Sequence, residues 1–156
     1  MTLAQETEMT PAEVDAFLGR VQTGTLSFAR EGDPYAIPIS YGYDATDRIF
    51  YLRLVSTPDS TKRAFLGSSP NATLVVYEGS ENTAGESTYQ SVVATGTLVD
   101  IEPSEMNVDQ IEQYGKARRP LFEIWAADRK DLDIQLYEFR PDEMTGRRTE
   151  VDWDTL

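Results

Sequence analysis

Short alternating segments, each bounded by turn residues, constrain this chain more than anything else in it. Leu26 and Phe28 alternate with Ser27 and Ala29, and Glu31-Gly32-Asp33 makes a turn. Residues 35–43 give a second strand, Asp44-Ala45-Thr46-Asp47 a second turn, and Ile49–Leu54 a third strand. Two hairpins in succession point to a meander. Leu74-Val75-Val76-Tyr77 is a continuous apolar run that reads as a strand covered on both faces. The stretch 79–88 is polar without periodicity and reads as an exposed loop. Tyr89–Ile101 follows as a long strand, in which Gly96 predicts a bend or bulge. Leu132, Ile134 and Leu136 alternate and give a last strand through about Phe139.

Helices are few. Thr10-Pro11-Ala12-Glu13 is a helix start, with Thr10 as cap, Pro11 in the first turn and Glu13 completing a capping box. Val14, Phe17, Leu18 and Val21 recur at helical spacing, and Gly24 is the expected stop. A second, short helix is expected over about 60–67. A third helical region starts at Ser104 and Glu105, with Met106, Ile111 and Tyr114 inward and a restart at Pro120 carrying Leu121, Phe122 and Trp125. Residues 1–9 read as a loose acidic tail and 141–156 as a charged surface extension. With no repeat and no linker, 1–156 reads as one domain: five or six antiparallel strands in a small barrel with peripheral helices.

Composition narrows the chemistry. There is no His and no Cys, which excludes Ser-His-Asp triads, thiolate chemistry, disulfides, iron–sulfur clusters and the common zinc sites. The chain carries 27 acidic and 14 basic residues, net −13, and only three of the basic ones are lysines (Lys62, Lys116, Lys130). Such a charge repels nucleic acid and anionic membrane. It points instead to a salt-rich, halophilic cytoplasm, where screening over ~3 Å at ~1 M salt removes most of the self-repulsion. No apolar run approaches the ~20 residues that span a bilayer. The N-terminal residues are acidic rather than basic-then-apolar, unlike a signal peptide. Asp131-x-Asp133 and Asp152-x-Asp154 read as ordinary acidic surface, and no metal site is expected.

One local constellation suits an anion. Asp59-Ser60-Thr61-Lys62 opens the second helix, and a helix N-terminus offers unpaired N–H groups and a positive dipole end. Two hydroxyls and an ammonium there would add hydrogen bonds to a phosphate. Taken alone, such a triplet is more often an ordinary helix cap. Tyr41, Tyr43 and Tyr51 read as strand packing residues, and Arg118-Arg119 as a solvated or subunit-bridging pair.

The order of these segments resembles the small flavin-binding split β-barrels of the pyridoxamine 5′-phosphate oxidase family, over roughly residues 10–101 and more weakly to about 140. The resemblance implies a mainly β split barrel that binds flavin mononucleotide (FMN) at a homodimer interface. In that family the second strand runs beside the flavin ring and addresses it through backbone groups. It matches Ala36-Ile37-Pro38-Ile39-Ser40-Tyr41 here. The segment flanking the ribityl chain and phosphate corresponds to Tyr51-Leu52-Arg53. The family's phosphate element is similar to Ser60-Thr61-Lys62, with Thr in place of the usual Arg and Arg53 placed to supply the lost charge. Ser91 corresponds to a position from which the other subunit contacts the cofactor.

The implied activity is a flavin-dependent oxidoreductase of unspecified small-molecule substrate, without catalytic side chains, since the flavin carries the redox chemistry. The alternatives are a non-catalytic flavin carrier or sensor, a protein using the deazaflavin F420, and a cofactor-free barrel. Relatives that bind haem or reduce nitroimidazoles place a His near this site, and this chain has none. Arg147-Arg148 and Trp153 differ in spacing and context from the Arg and Trp that handle pyridoxal phosphate in the true oxidases.

Overall fold

A computed structural model describes residues 4–56, 71–81, 85–101, 107–108, 112 and 133–153. The capping box forms as expected: Glu13 N–H donates to Thr10 Oγ1 (3.2 Å) and Thr10 N–H to Glu13 Oε1 (3.0 Å). These bonds start helix α1 (Pro11–Val21), which buries Val14, Phe17 and Leu18. Its stop differs from expectation. Gln22, at φ 65°, makes the left-handed cap. Gly24 instead lies within strand β2 (Thr23–Arg30), where a Cβ would stand 2.8 Å from the Val75 carbonyl oxygen.

The two expected hairpins follow. Glu31 and Gly32 both have positive φ (50° and 86°), the pairing a two-residue turn requires, and join β2 to β3 (Asp33–Asp44). Asp44 Oδ1 accepts from the N–H of Thr46 (2.9 Å) and closes the turn into β4 (Ile49–Ser56). Strand β5 (Asn71–Glu81) corrects the reading of a doubly covered strand: Ala72, Leu74 and Val76 face the core, while Tyr77 is 73% exposed.

Three polar stretches also depart from expectation. Residues 79–81 and 86–88 are ladder rather than loop, because β5 continues to Glu81 and β6 (Glu86–Ile101) pairs with it as far as Glu81–Ser87. The last strand does not end at Phe139. Strand β7 runs Asp133–Asp152, so the expected surface extension is its second half. The expected loose tail holds a strand, β1 (Ala4–Glu8), paired with β7 from Glu8–Arg147 to Ala4–Val151. One cause underlies all three: a ladder is made by backbone groups, so polar side chains can form it where a neighbouring edge would otherwise stay bare. Strand β4 covers β7 only as far as Phe139, and β1 takes over that edge beyond it.

The strands close into a ring in the order β7–β4–β3–β2–β5–β6 and back to β7, with β1 outside the ring on β7. This is the expected mainly β barrel with a peripheral helix. The expected bulge is present: the β6–β7 register shifts between Thr95 and Gly96, leaving Asp142 as the extra residue. A Cβ on Gly96 would collide with the Arg140 carbonyl. Inside the ring, Phe50 stacks edge-on or tilted against Tyr41 (5.1 Å), Tyr43 (4.8 Å) and Phe139 (5.7 Å), each contact worth ~0.5–1.5 kcal/mol beyond area burial. No described helix is long and apolar enough to cross a membrane. The expected helix at 60–67, with Ser60, Thr61 and Lys62, lies outside the described residues, as do Arg118, Arg119 and Trp125.

Candidate functional site

The ring is not evenly sewn. β3 and β4 pair only from Asp44–Ile49 to Tyr41–Leu52. Past that point β4 stays with β7, from Arg53–Leu136 to Ser56–Asp133, while β3 stays with β2. Among the described residues, no strand pairs with β3 between Asp33 and Ser40 on the side away from β2. A split opens there between the two strands.

Backbone direction follows from one bond. The Tyr41 N–H donates to the Gln22 carbonyl (3.0 Å), on the β2 side. Successive residues alternate, so Ile39 and Ile37 direct their backbone groups the same way, whereas Ser40, Pro38 and Ala36 direct theirs into the split. Pro38 lacks an N–H and is tolerated at an edge without a ladder partner.

Side chains sort the sequence-predicted residues differently. Ile37, Ile39 and Leu52 point into the core, and Leu52 is fully buried. Ile37 and Ile39 also turn their backbone groups toward β2, so they support the split from the core rather than face it, contrary to the expected backbone contact. Ser40 is buried and Pro38 exposed, both on the outer face, and Arg53 is half-buried on the outer face of β4, one residue past the last β3–β4 pair. The structure brings these residues together at the split. Ser91 lies elsewhere, on the outer face of β6 between Tyr77 and Arg147.

Arg53 is set apart by its surroundings. Among arginines with described side chains, Arg20 pairs with Glu78, Arg48 with Asp15, Arg140 with Glu138, Arg147 with Glu6 and Arg148 with Glu150. Arg53 alone has no described carboxylate partner. A half-buried guanidinium at the edge of the split is chemically suited to an anion.

Sequence reasoning missed the wall beside it. Glu138 is 3% exposed on the outer face of β7, opposite Tyr51 of β4, itself 3% exposed. Arg140 donates to Glu138 Oε2 from both Nε (2.9 Å) and Nη2 (2.7 Å). A single Glu between Tyr137 and Phe139 carries no signal of this in the sequence. The tyrosines of β3 are packing groups, as expected, and tie the split to α1. Tyr41 donates to the Leu18 carbonyl (2.8 Å) and Tyr43 to Asp15 Oδ1 (2.7 Å). Burial pushes both phenols well above their ordinary pKa, and for Tyr43 the bond to Asp15 adds to it.

On the other side of β3 the outer face changes character. Cross-strand neighbours run Pro38–Thr25–Val75–Val93 in one row and Ala36–Ser27–Thr73–Thr95 in the next, with no charged side chain in either. An open cavity of about 460 Å³ lies on this wall, with Ser27, Thr73, Thr95 and the bulge residue Asp142 among its lining. None of the sequence-predicted site residues lines it. Arg147 and Trp153 are engaged on the β6–β7–β1 ribbon, by Glu6 (2.9 Å) and by Ser87 Oγ (2.8 Å). No group of three or more acidic side chains among the described residues could hold a metal ion.

Comparison with known proteins agrees with this fold. The model of a family described as pyridoxamine 5′-phosphate oxidase matches residues 10–148. No curated protein matches. Among solved structures, an FAD-binding protein from Mesorhizobium loti is 17% identical with a TM-score of 0.67, over 94% of this chain and 98% of that one. A proposed 5-nitroimidazole resistance protein from Bacteroides thetaiotaomicron is 16% identical with a TM-score of 0.68, over 95% and 90%. An FAD-binding protein from Mycobacterium smegmatis is 17% identical with a TM-score of 0.58, over 91% and 96%. At these identities the likeness is one of fold.

Proposed function

We propose, since this chain belongs to the pyridoxamine 5′-phosphate oxidase family, that it binds flavin mononucleotide in the split between β3 and β4 and acts as a flavin-dependent oxidoreductase. The observation that carries this reading is Arg53, half-buried at the lip of the split without a described carboxylate partner. Arg53 would hold the phosphate together with Ser60, Thr61 and Lys62. The backbone groups of Ser40 and Pro38, directed into the split, would address the polar edge of the ring. Ile37, Ile39 and Leu52 would hold those strands in place from the core. Ser91 of the partner subunit would close the site in a homodimer.

A bound flavin would supply hydride chemistry that needs neither His nor Cys. The chain's own part is to bind, orient and exclude water. Oxidation of pyridoxamine phosphate is not proposed, because Arg147 and Trp153 are held on the ribbon by Glu6 and Ser87. The longer anionic tail of F420 would call for more basic residues near the phosphate end than this sequence offers.

The test is an absorbance spectrum of the purified protein in concentrated salt, before and after adding FMN and desalting. Retained bands near ~375 and ~450 nm, as for a protein-bound flavin, support the reading. Arg53→Ala should then weaken binding roughly ten- to hundredfold, the worth of a charged hydrogen bond. Protein that retains no flavin overturns it. Bleaching of the bands by a nicotinamide donor separates an oxidoreductase from a carrier or sensor.

A further inference from the structure

Resting on the flavin-site reading above, we propose that Pro38 makes the split: it is a positioning residue that stops the β3–β4 ladder and keeps both strand edges available to a ligand. The register locates the effect. The β3–β4 pairs run from Asp44–Ile49 to Tyr41–Leu52 without a shift, so the same register continued would oppose Ser40 to Arg53, Ile39 to Leu54 and Pro38 to Val55. Even-numbered residues of β3 direct their backbone groups toward β4, because Tyr41 directs its own toward β2. Gly42–Tyr51 is therefore a pair that exchanges two hydrogen bonds, and Ser40–Arg53 and Pro38–Val55 would be the next two of that kind. The second of these cannot form fully. Proline has no N–H to give the Val55 carbonyl, and its ring fills the space that the bond would occupy.

The described side chains do not call for a separation. Ile37 and Ile39 alternate inward on β3, as do Leu52 and Leu54 on β4, and all four are buried. Both strands thus keep the pattern of the barrel wall past the point where they part. β3 stays in unbroken register with β2, and β4 with β7 as far as Ser56–Asp133. What interrupts β3 is Pro38, which is exposed on the outer face and adds nothing to the core. Pro34 lies on the same edge and directs its backbone the same way. In the β3–β4 register, however, it would fall beyond Ser56, where β4 ends, so it has no ladder to stop.

Ladder closure and ligand binding compete for the same backbone groups. On one side stand the Ala36 and Pro38 carbonyls, on the other the N–H and C=O groups of Arg53 and Val55. A planar molecule with donors and acceptors along one edge fits such an opening, whereas a strand would lose a bond at Pro38. Giving position 38 an N–H shifts the balance toward closure. The apparent affinity for a ligand then falls with the fraction of molecules left open.

The experiment compares Pro38→Ala, Pro34→Ala and the unaltered full chain. Amide hydrogen exchange is followed in flavin-free protein, affinity by FMN titration, and the sheet by far-ultraviolet circular dichroism. In Pro38→Ala the Arg53 and Val55 amides should exchange at least about tenfold more slowly, and FMN affinity should fall by about the same factor, since both read the open fraction. Pro34→Ala should match the unaltered chain in both. Unchanged exchange at Arg53 and Val55 in a folded Pro38→Ala overturns the proposal. So does equal slowing in Pro34→Ala, or slowed exchange with undiminished FMN affinity. Should Pro38→Ala lose the sheet signal, Pro38→Val, which favours an extended backbone, is judged by the same criteria. Loss of the sheet in both makes Pro38 a folding residue and overturns the proposal as well. If the unaltered chain binds no FMN while Pro38→Ala still slows exchange at these two amides, the flavin reading fails and Pro38 remains the cause of the split.

Discussion

The β6–β7 seam and the β3–β4 seam lie in one barrel and are built on opposite terms. β6 and β7 pair without a break in contact from Glu86–Asp152 to Ile101–Leu136, absorbing one extra residue at a bulge where only glycine fits. β3 and β4 separate after Tyr41–Leu52 and leave backbone groups and a half-buried arginine at the opening. The long seam uses its hydrogen-bonding capacity on itself. On the proposed reading, the short seam keeps some available for the cofactor. Stability and binding are thus expected to separate along this line, and substitutions on the two sides should behave differently.

The largest effect should come from Gly96→Ala. The added methyl meets the Arg140 carbonyl and stands 2.7 Å from Pro141 Cα, with no flexible side chain to yield. A loss of about 3 kcal/mol in urea denaturation is expected, at the upper end for overpacking. A loss below ~1 kcal/mol would mean that the long seam is more pliable than described. Arg140→Ala comes next. It removes the Arg140 guanidinium from the buried Glu138 carboxylate and should cost about 2 kcal/mol, less than a fully buried pair because Arg140 is half in water.

Tyr43→Phe probes the paired end of the short seam and should cost about 1 kcal/mol at neutral pH, one hydrogen bond to Asp15. It carries a pH signature. The folded state favours the neutral phenol, so this stability is fully present below the unfolded pKa of about 10 and is lost as pH rises beyond it. Melting curves from pH 9 to 11.5 should fall less steeply in the Phe variant. The smallest effect is expected at the open lip. Arg53→Ala should change stability by no more than about 0.5 kcal/mol while weakening flavin binding. A destabilisation above ~1 kcal/mol would make Arg53 a structural residue and remove the contrast between the seams.

How much of this can be read from the chain depends on what each feature is made of. The α1 start, both hairpin turns and the Gly96 bulge are legible because each is a local rule with its own residues. The resemblance on residues 36–41 and 51–53 falls on the two strands that part at the split. The polar halves of β5, β6 and β7, and all of β1, are invisible to an apolar-alternation reading, since their ladders are made by backbone groups. Gln22 hides for a related reason: a left-handed cap is expected of Gly24, but that glycine is needed where β5 comes close. The place of Arg53 at the split, the burial of Glu138 and the neutral wall depend on register between distant strands. No single segment contains them. Lys62 and its neighbours, the most explicit anion motif in the sequence, lie outside the described residues.

The reach of β7 has a consequence for how the molecule is made. Residues 133–152 pair with β4 and β6 and, through Arg147, with Glu6 near the other end of the chain, 141 residues away. During synthesis the β2–β3–β4 meander can form as it emerges, but the ring cannot close until β7 has left the ribosome. Until then β4 and β6 expose bare edges, and β1 has nothing to pair with. Contacts so distant in sequence favour slow folding. The many acidic side chains on this protein would then serve the nascent chain as well as the finished one, by holding unfinished copies apart.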